Sequence, residues 1–313
     1  MLLSLCTEYY QIFLCFAVLN GVSCSLIFTP SSAAVNHWFY SRRGLANGVS
    51  LSGGAFGGII FPLIFRALTS RIGFAWTMRT IGFICLLSST LSILLLRTRL
   101  PPNKTKGATF DLRAFRDRRF LLTTVAIFIL EWAYMIPITY FSSFAVSKGI
   151  NITFSYQLLA IMNGTSILGR TVPGYLADRL GRFNMMVITN FACATFTFSL
   201  WFAAAAISTT NVVMLTVFMT LFGLSSGTGV SLMPVCVAQI SETKDYGKRY
   251  GTAYAFASIA TLTGTPIAGQ ILNSQKGSYT GLVAFCGSCY IGSMIFFGLA
   301  RGTGKGWKLM EIY

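Results

Sequence analysis

Nine long apolar runs, separated by short polar segments, occupy most of this chain. Each run is long enough to cross a bilayer as a helix, for which about 20 apolar residues suffice. Because hydrocarbon offers the backbone no hydrogen-bond partner, such runs must form helices that satisfy their own N–H and C=O groups. We name them runs A to I, at about 11–34, 45–65, 74–96, 120–145, 153–177, 184–207, 211–238, 250–272 and 280–300.

The composition excludes an ordinary water-soluble domain. Only 10% of the 313 residues are charged and 54% are hydrophobic, whereas soluble domains carry about 25% charged residues. A net charge of +16 would suggest nucleic acid for a soluble protein, but here the basic residues lie in loops rather than along one face. The expected fold class is therefore an all-α membrane protein of about nine transmembrane helices. The expected partner is the lipid bilayer, with no nucleic acid.

The basic residues predict the orientation of the helices. One set of alternate loops and the C-terminal tail hold 18 of the 24 Lys and Arg residues, whereas the opposite loops hold four. Cytoplasmic loops of membrane proteins are enriched in Lys and Arg. We therefore expect the A–B, C–D, E–F and G–H loops and the C-terminus to face the cytosol, in a multi-pass protein that resides by default in the plasma membrane.

The longest polar segment divides the chain into unequal parts. Pro101 and Pro102 end run C, and a basic stretch follows them. The predicted organisation is a partial N-terminal bundle, a cytosolic basic linker, a six-helix C-terminal bundle and a cytosolic tail, at 1–96, 97–119, 120–300 and 301–313. Since many transporters consist of two six-helix halves, we expect the first half to lack three helices. An unusual nine-helix protein is the alternative.

Two segments resemble a known family. Residues 38–53, WFYSRRGLANGVSLSG, and residues 169–182, GRTVPGYLADRLGR, resemble motifs of the major facilitator superfamily. The first segment is similar to the monocarboxylate-porter branch of fungi, although Ser41 stands where that branch usually has a Lys. The resemblance implies a transporter that works by alternating access, with run A as the fourth helix of the family and run E as the eighth.

The motif residues are candidates for a gate. A carboxylate in the E–F loop can accept hydrogen bonds from backbone and Arg groups, and the loop's Arg residues can reach carboxylates or helix C-termini. Such contacts would favour one arrangement of the helices and break in the other. The alternative is simple anchoring by positive charge. The candidates are Gly174, Asp178, Arg179, Gly181 and Arg182, with Arg42 and Arg43 of the A–B loop.

Charged residues inside the runs are candidates for the transport site, since charges at the bilayer centre are costly and usually face a cavity or a partner. Glu131 lies about 18 Å into run D, and the helical rise puts Arg170 of run E within about 10 Å of it in depth. Glu131 could carry a proton while Arg170 holds a substrate carboxylate. The alternatives are a protonated structural Glu131 and an Arg170 that extends to the interface.

The family comparison limits this site. Animal members of the branch carry an Asp one helical turn before the Arg, and Ser166 occupies that position here. The Asp–Arg relay of those members therefore cannot be transferred whole. Asn163 and Ser166 could instead offer neutral hydrogen bonds to a substrate.

Metal, cofactor and enzyme sites are not expected. The eight cysteines are scattered, and Cys286 and Cys289 lack a second pair with metal-binding spacing. No phosphate-binding motif follows the glycine clusters. One His and eight acidic residues, mostly in loops, argue against a membrane-embedded enzyme.

The sequence therefore predicts a secondary transporter of small organic acids or related metabolites, with proton coupling or facilitated exchange. One alternative is an efflux transporter for a fungal secondary metabolite. A second alternative is a truncated membrane protein that does not transport.

Overall fold

The structure, a computed structural model, describes residues 1–97, 99, 110–207 and 211–305 and contains no strand within those ranges. Pro101, Pro102 and much of the predicted basic linker lie outside the described residues, as do positions 306–313 of the predicted tail. Two short 3-10 helices, Leu2–Leu5 and Leu112–Arg116, accompany the long helices. The long helices are α1 Tyr9–Trp38, α2 Arg43–Leu95, α3 Arg118–Ser147, α4 Ile152–Leu180, α5 Arg182–Ala206, α6 Val212–Gln239, α7 Tyr246–Ser274 and α8 Thr280–Lys305.

Seven helices of the described ranges are long and apolar enough to cross a membrane. They are all the long helices except α4, in which Asn163, Arg170 and Asp178 lower the mean hydropathy. Runs B and C share the single 53-residue helical segment α2. The difference from nine predicted spans thus has two causes, one merged pair and one polar helix. The expected all-α membrane architecture is confirmed.

Helix α2 folds back on itself at Gly73. This residue has φ 75° and ψ 170°, a conformation that breaks the helix and that only glycine adopts without strain. An unbroken helix of 53 residues would be about 80 Å long. Instead the Trp38 indole, just before α2, donates to the carbonyl of Arg97, just after it, at 2.8 Å. The two arms, 43–72 and 74–95, therefore form a hairpin as runs B and C predict.

Alternate loops meet at the same end of the bundle. The A–B and E–F loops meet where the Gly44 amide binds Asp178, and Arg119 donates to the carbonyl of Thr303 at 3.2 Å. At the other end, Lys148 of the D–E loop donates to the carbonyl of Ala205 at 3.2 Å. We call the first the basic end, since it carries most of the loop Lys and Arg residues.

Helices α3 to α8 enclose the hydrophobic core. Its centre is a set of fully buried aromatic rings in which Phe141, Trp201 and Phe218 have centroids 5.4 to 5.6 Å apart. Aromatic pairs at such separations add to the stabilisation from burial. In contrast, the most apolar windows of α1 and α2 are 0% buried.

The inward face of α1 and of the first arm of α2 is small or polar. Its buried members are Ser32, Asn36, Arg43, Gly44, Asn47, Gly48, Ser52 and Ala55. Apolar side chains on these helices point outward, the arrangement expected where the surroundings are lipid and small residues permit close helix packing. We call the contact of this face with α4, α6 and α7 the seam.

Candidate functional site

Glycines bring α2 and α4 into backbone contact along the seam. A Cβ built on Gly44 or Gly48 would overlap the carbonyl oxygen of Gly174 or Arg170, respectively. Further along, a Cβ on Gly58 would lie 2.9 Å from the amide of Asn163. Because two helices can approach this closely only where side chains are absent, these glycines set the register between the two parts of the chain.

Asp178 caps the N-terminus of α2 from the opposite side of the seam. Its Oδ1 accepts the Gly44 amide at 2.9 Å and its Oδ2 accepts the Leu45 amide at 3.0 Å. The first amides of a helix have no partner within the helix and carry its partial positive charge. Arg182 lies 3.3 Å from the same Oδ1, so the carboxylate links the E–F loop to α2.

The other motif residues take different positions. Arg182 also donates to the carbonyl of Tyr40 at 3.0 Å, which gives a second contact across the seam. Gly181 has φ 97° and joins α4 to α5. Arg179 lies over the Tyr175 ring of its own helix at 4.6 Å, and Arg42 is exposed before α2. Of the predicted gate residues, the structure thus brings Gly174, Asp178, Arg182 and Arg43 to the seam.

Arg43 is buried and binds three backbone carbonyls. The residue is 4% exposed, and its Nε donates to the backbone carbonyls of Asn36 and Phe39 at 3.2 and 3.0 Å. Its Nη1 donates to Ala238, at the end of α6, at 3.3 Å. Arg43 therefore joins α1, α2 and α6 at the basic end.

A pair of buried amides was not predicted from the sequence. Asn36 of α1 and Asn47 of α2 exchange side-chain hydrogen bonds at 3.0 and 3.3 Å, and both are 1% exposed. Asn36 also donates to the hydroxyl of Tyr246 at 3.1 Å, and that hydroxyl donates to the carbonyl of Pro234 at 3.2 Å. This cluster crosses the seam from α1 to α6 and α7. Buried amides inside apolar helices were the available signal.

Arg170 points into the seam about two thirds of the way along α4. It is 6% exposed, so it does not extend to the interface, and its Nη1 donates to the carbonyl of Leu51 on α2. Its Nε is buried and has no hydrogen-bond partner among the described residues. A buried guanidinium is costly unless its donors are satisfied, so the position is suited to an additional acceptor.

Glu131 and Arg170 form no direct ion pair in the described part of the chain, where the salt bridges within 4.0 Å involve other residues. Glu131 accepts the Thr261 hydroxyl of α7 at 3.4 Å. The Tyr134 hydroxyl lies close to the Arg170 guanidinium and within electrostatic range of Glu131. The two charged groups therefore belong to one neighbourhood with Tyr134 beside both.

Asn163 and Ser166 lie on the same stretch of α4. Ser166 donates to the Asn163 carbonyl at 2.8 Å, and the Asn163 amide donates to the Leu159 carbonyl at 3.1 Å. Ser166 is 4% exposed and packs against Gly227 of α6, whereas Asn163 is partly exposed and faces Gly58. Asn163 is thus the more accessible of the two.

In the described ranges, no group of three His, Cys, Asp or Glu side chains is close enough to hold a metal ion.

Comparison with known proteins decides the family. The family description "Major Facilitator Superfamily" matches residues 1–210, and a second one, "MFS_1 like family", matches residues 128–305. The chain belongs to the major facilitator superfamily. It is therefore a multi-pass transporter protein of the membrane, as its helices and motifs predict.

Fungal transporters are among the relatives of this superfamily member. It is 36% identical over 310 residues to the MFS-type transporter opdF of Penicillium oxalicum, covering 99% of this chain and 72% of that protein. It is 34% identical to the riboflavin transporter of Saccharomyces cerevisiae, covering 96% of this chain and 62% of that protein. It is 33% identical to the aspyridones efflux protein of Emericella nidulans, covering 99% and 63%.

Proposed function

We propose that this superfamily member moves small organic acids or related metabolites across the membrane, with Arg170 binding a carboxylate and Glu131 carrying a proton. The observation that carries the proposal is the buried Arg170 guanidinium, whose Nε lacks a partner among the described residues. A substrate carboxylate supplies the missing acceptor and the missing charge, because Arg pairs with carboxylates through two parallel hydrogen bonds.

Neighbouring side chains support the same assignment. Within the described residues, the Glu131 carboxyl accepts one hydrogen bond, from Thr261 at 3.4 Å, and forms no ion pair. It can therefore exchange a proton without breaking an ion pair. Asn163 supplies a neutral amide on the helix that carries Arg170. Together these groups offer one positive site, one titratable site and one neutral site around the seam.

The contacts at the basic end support alternating access. Asp178, Arg182 and Arg43 bind backbone groups across the seam, so they hold its two sides together at that end in this conformation. Opening the basic end requires these hydrogen bonds to break together. Contacts formed at the opposite end as it closes would replace them. Positive loop charge supports a cytosolic basic end and C-terminus, and we place the protein in the plasma membrane.

The test is uptake of labelled pyruvate and benzoate by the reconstituted protein, with protein-free liposomes measured in parallel. Arg170→Ala should lower uptake by about tenfold or more, the cost of a lost charged hydrogen bond. Arg170→Lys should recover part of it, because the charge remains and the paired geometry is lost. The matched control is Arg79→Gln, since Arg79 lies inside a helix but binds Ser4, away from the seam.

Two results would contradict the proposal. If Arg170→Ala transports like the unmodified protein, Arg170 does not bind the substrate. If liposomes that contain the unmodified protein take up neither acid faster than protein-free liposomes do, the protein does not transport these acids.

Efflux of a secondary metabolite is the second candidate. The observation that favours it is that one relative is an aspyridones efflux protein and another is an agnestins efflux protein. Outward movement of a metabolite from loaded cells distinguishes efflux from uptake. The same rate is measured for the Glu131→Gln variant and in the absence of a proton gradient. Equal rates in both directions would favour exchange.

A further inference from the structure

Three tyrosines form a row on one face of α7. Tyr246, Tyr250 and Tyr254 are spaced four residues apart, which places them on one face of a helix. Their ring centroids are 5.4 and 4.4 Å apart, with interplanar angles of 30° and 47°. We call these three residues the tyrosine ladder.

The ladder lies in the seam, covered by α1. The Tyr246 ring is 6.2 Å from the His37 ring, and the Tyr254 ring is 6.3 Å from the Phe28 ring. Tyr246 and Tyr250 are 1% and 0% exposed. Because α1 and α7 belong to the two sides of the seam, opening the basic end uncovers these rings.

One end of the ladder reaches the candidate transport site. Tyr254 is partly exposed. Both Tyr250 and Tyr254 lie near enough to Glu131 for its charge to act on their hydroxyls. Thr261, two turns further along α7, donates to Glu131 at 3.4 Å. The ladder therefore runs from the neighbourhood of Glu131 to the amide cluster at the basic end.

Tyr250, the middle residue of the tyrosine ladder, has a polar group without a hydrogen-bond partner among the described residues. This hydroxyl is buried, and Ser32 and Tyr254 lie beside it. Leaving a buried hydroxyl unpaired costs stability. The hydrophobic core, by contrast, is built around Phe and Trp rings such as Phe141 and Trp201, so packing alone does not require tyrosines in the seam.

We propose that the tyrosine ladder is the substrate-contacting wall between Glu131 and the basic end, and that it selects planar aromatic acids over aliphatic acids of equal size and charge. Aromatic rings that stack on one another gain an attraction beyond that of the buried area alone. A puckered aliphatic ring does not gain this stacking attraction. The hydroxyls add hydrogen bonds to acceptors on the aromatic ring. The inference rests on the proposed binding of a carboxylate by Arg170.

Benzoate and cyclohexanecarboxylate are matched probes, because they share a charge and a six-membered ring and differ in planarity. Equilibrium binding of each labelled acid to the purified protein avoids passive leakage across a bilayer. The unmodified protein should bind benzoate about 3- to 10-fold more tightly, the range that a stacking pair provides.

The variants assign this preference to a ladder residue. Tyr254→Leu and Tyr254→Met should reduce the ratio to near one, whereas Tyr254→Phe should keep it because the ring remains. Tyr156→Leu is the control, since Tyr156 lies on α4 with 59% of its surface exposed. Size-exclusion profiles identify any variant that fails to fold, and the two ring-removing variants make the result independent of one such failure.

The outcomes separate the two proposals. A ratio near one in the unmodified protein, or a ratio unchanged in both folded ring-removing variants, overturns the ladder while leaving the acid site intact. A preserved ratio with affinities that Arg170→Ala does not change overturns the carboxylate assignment alone. Failure of the protein to bind either acid overturns both.

Discussion

Asp178 and Gly44 lie 134 positions apart in the chain, yet the Asp178 carboxylate accepts the Gly44 amide at 2.9 Å and caps the helix that begins there. The bond joins the two parts of the chain at the basic end. Because the helix N-terminus carries partial positive charge, a carboxylate stabilises this arrangement of the helices more than a neutral side chain would.

Neutralising Asp178 should therefore favour opening of the basic end. Asp178→Asn should weaken the cap by about 1 kcal/mol, which corresponds to roughly a fivefold increase in the open population. The measurement is the rate at which an impermeant maleimide labels Ser32→Cys, a buried position on α1, with the native cysteines replaced. Asp117→Asn is the matched control, because Asp117 caps its own helix α3 and does not cross the seam. Equal labelling in both variants would rule out this role for Asp178.

Adding a methyl group where α2 crosses α4 should destabilise the protein, because it forces the two helices apart. A Cβ on Gly174 would lie 2.6 Å from the carbonyl oxygen of Gly44, so Gly174→Ala must separate α2 from α4. We expect a loss of about 1 to 3 kcal/mol in stability, typical of overpacking. Thermal unfolding in detergent measures it. Gly53→Ala, where nothing lies within 4 Å, should leave the midpoint unchanged or raise it, and a similar loss there would contradict the steric explanation.

The amide cluster should show coupling across the seam. Tyr246→Phe removes a hydroxyl that binds both Asn36 and the Pro234 carbonyl, and it should cost about 1 kcal/mol or more. A double-mutant cycle with Asn36→Ala measures the shared part. Tyr290→Phe is the control, because the Tyr290 hydroxyl is buried without a hydrogen-bond partner among the described residues and its removal should be neutral or stabilising. Strict additivity of Tyr246→Phe and Asn36→Ala would show that the contact contributes nothing.

The hairpin in α2 depends on the backbone of Gly73. Gly73→Ala places a side chain at φ 75° and should destabilise the protein by about 1 to 2 kcal/mol. Gly298→Ala, in open space within α8, should stabilise by up to about 1 kcal/mol, the helix-propensity difference between the two residues. Thermal midpoints of the two variants should therefore move in opposite directions. Movement in the same direction would contradict a strained turn at Gly73.

Much of the fold could be predicted from the sequence because lipid imposes a simple rule on the backbone. The apolar runs became helices, and the loops rich in Lys and Arg met at one end. The break between runs B and C was predicted, but its position at Gly73 was not. The helical pattern continues on both sides of Gly73, and only the left-handed backbone there marks the break. The polarity of α4 was visible, because Asn163, Arg170 and Asp178 interrupt an otherwise apolar run.

The site was predicted less completely. Motif residues such as Asp178 and isolated charges such as Glu131 and Arg170 stand out in an apolar sequence. Their partners do not, because Arg170 binds the Leu51 carbonyl and Asp178 binds backbone amides, and backbone groups carry no sequence signal. The tyrosine spacing at 246, 250 and 254 was present in the sequence, yet only the packing of α1 against α7 gives it a position in the seam.

We propose that transport requires the seam to open at the basic end. Tyr40 and Thr243 line one cavity of about 330 Å³ there, with residues from both sides of the seam. Bridging Tyr40→Cys to Thr243→Cys with a reducible bifunctional reagent, in a background without native cysteines, should abolish uptake, and reduction should restore it. Each single variant treated in the same way should transport normally. Undiminished uptake by the bridged protein would contradict the account.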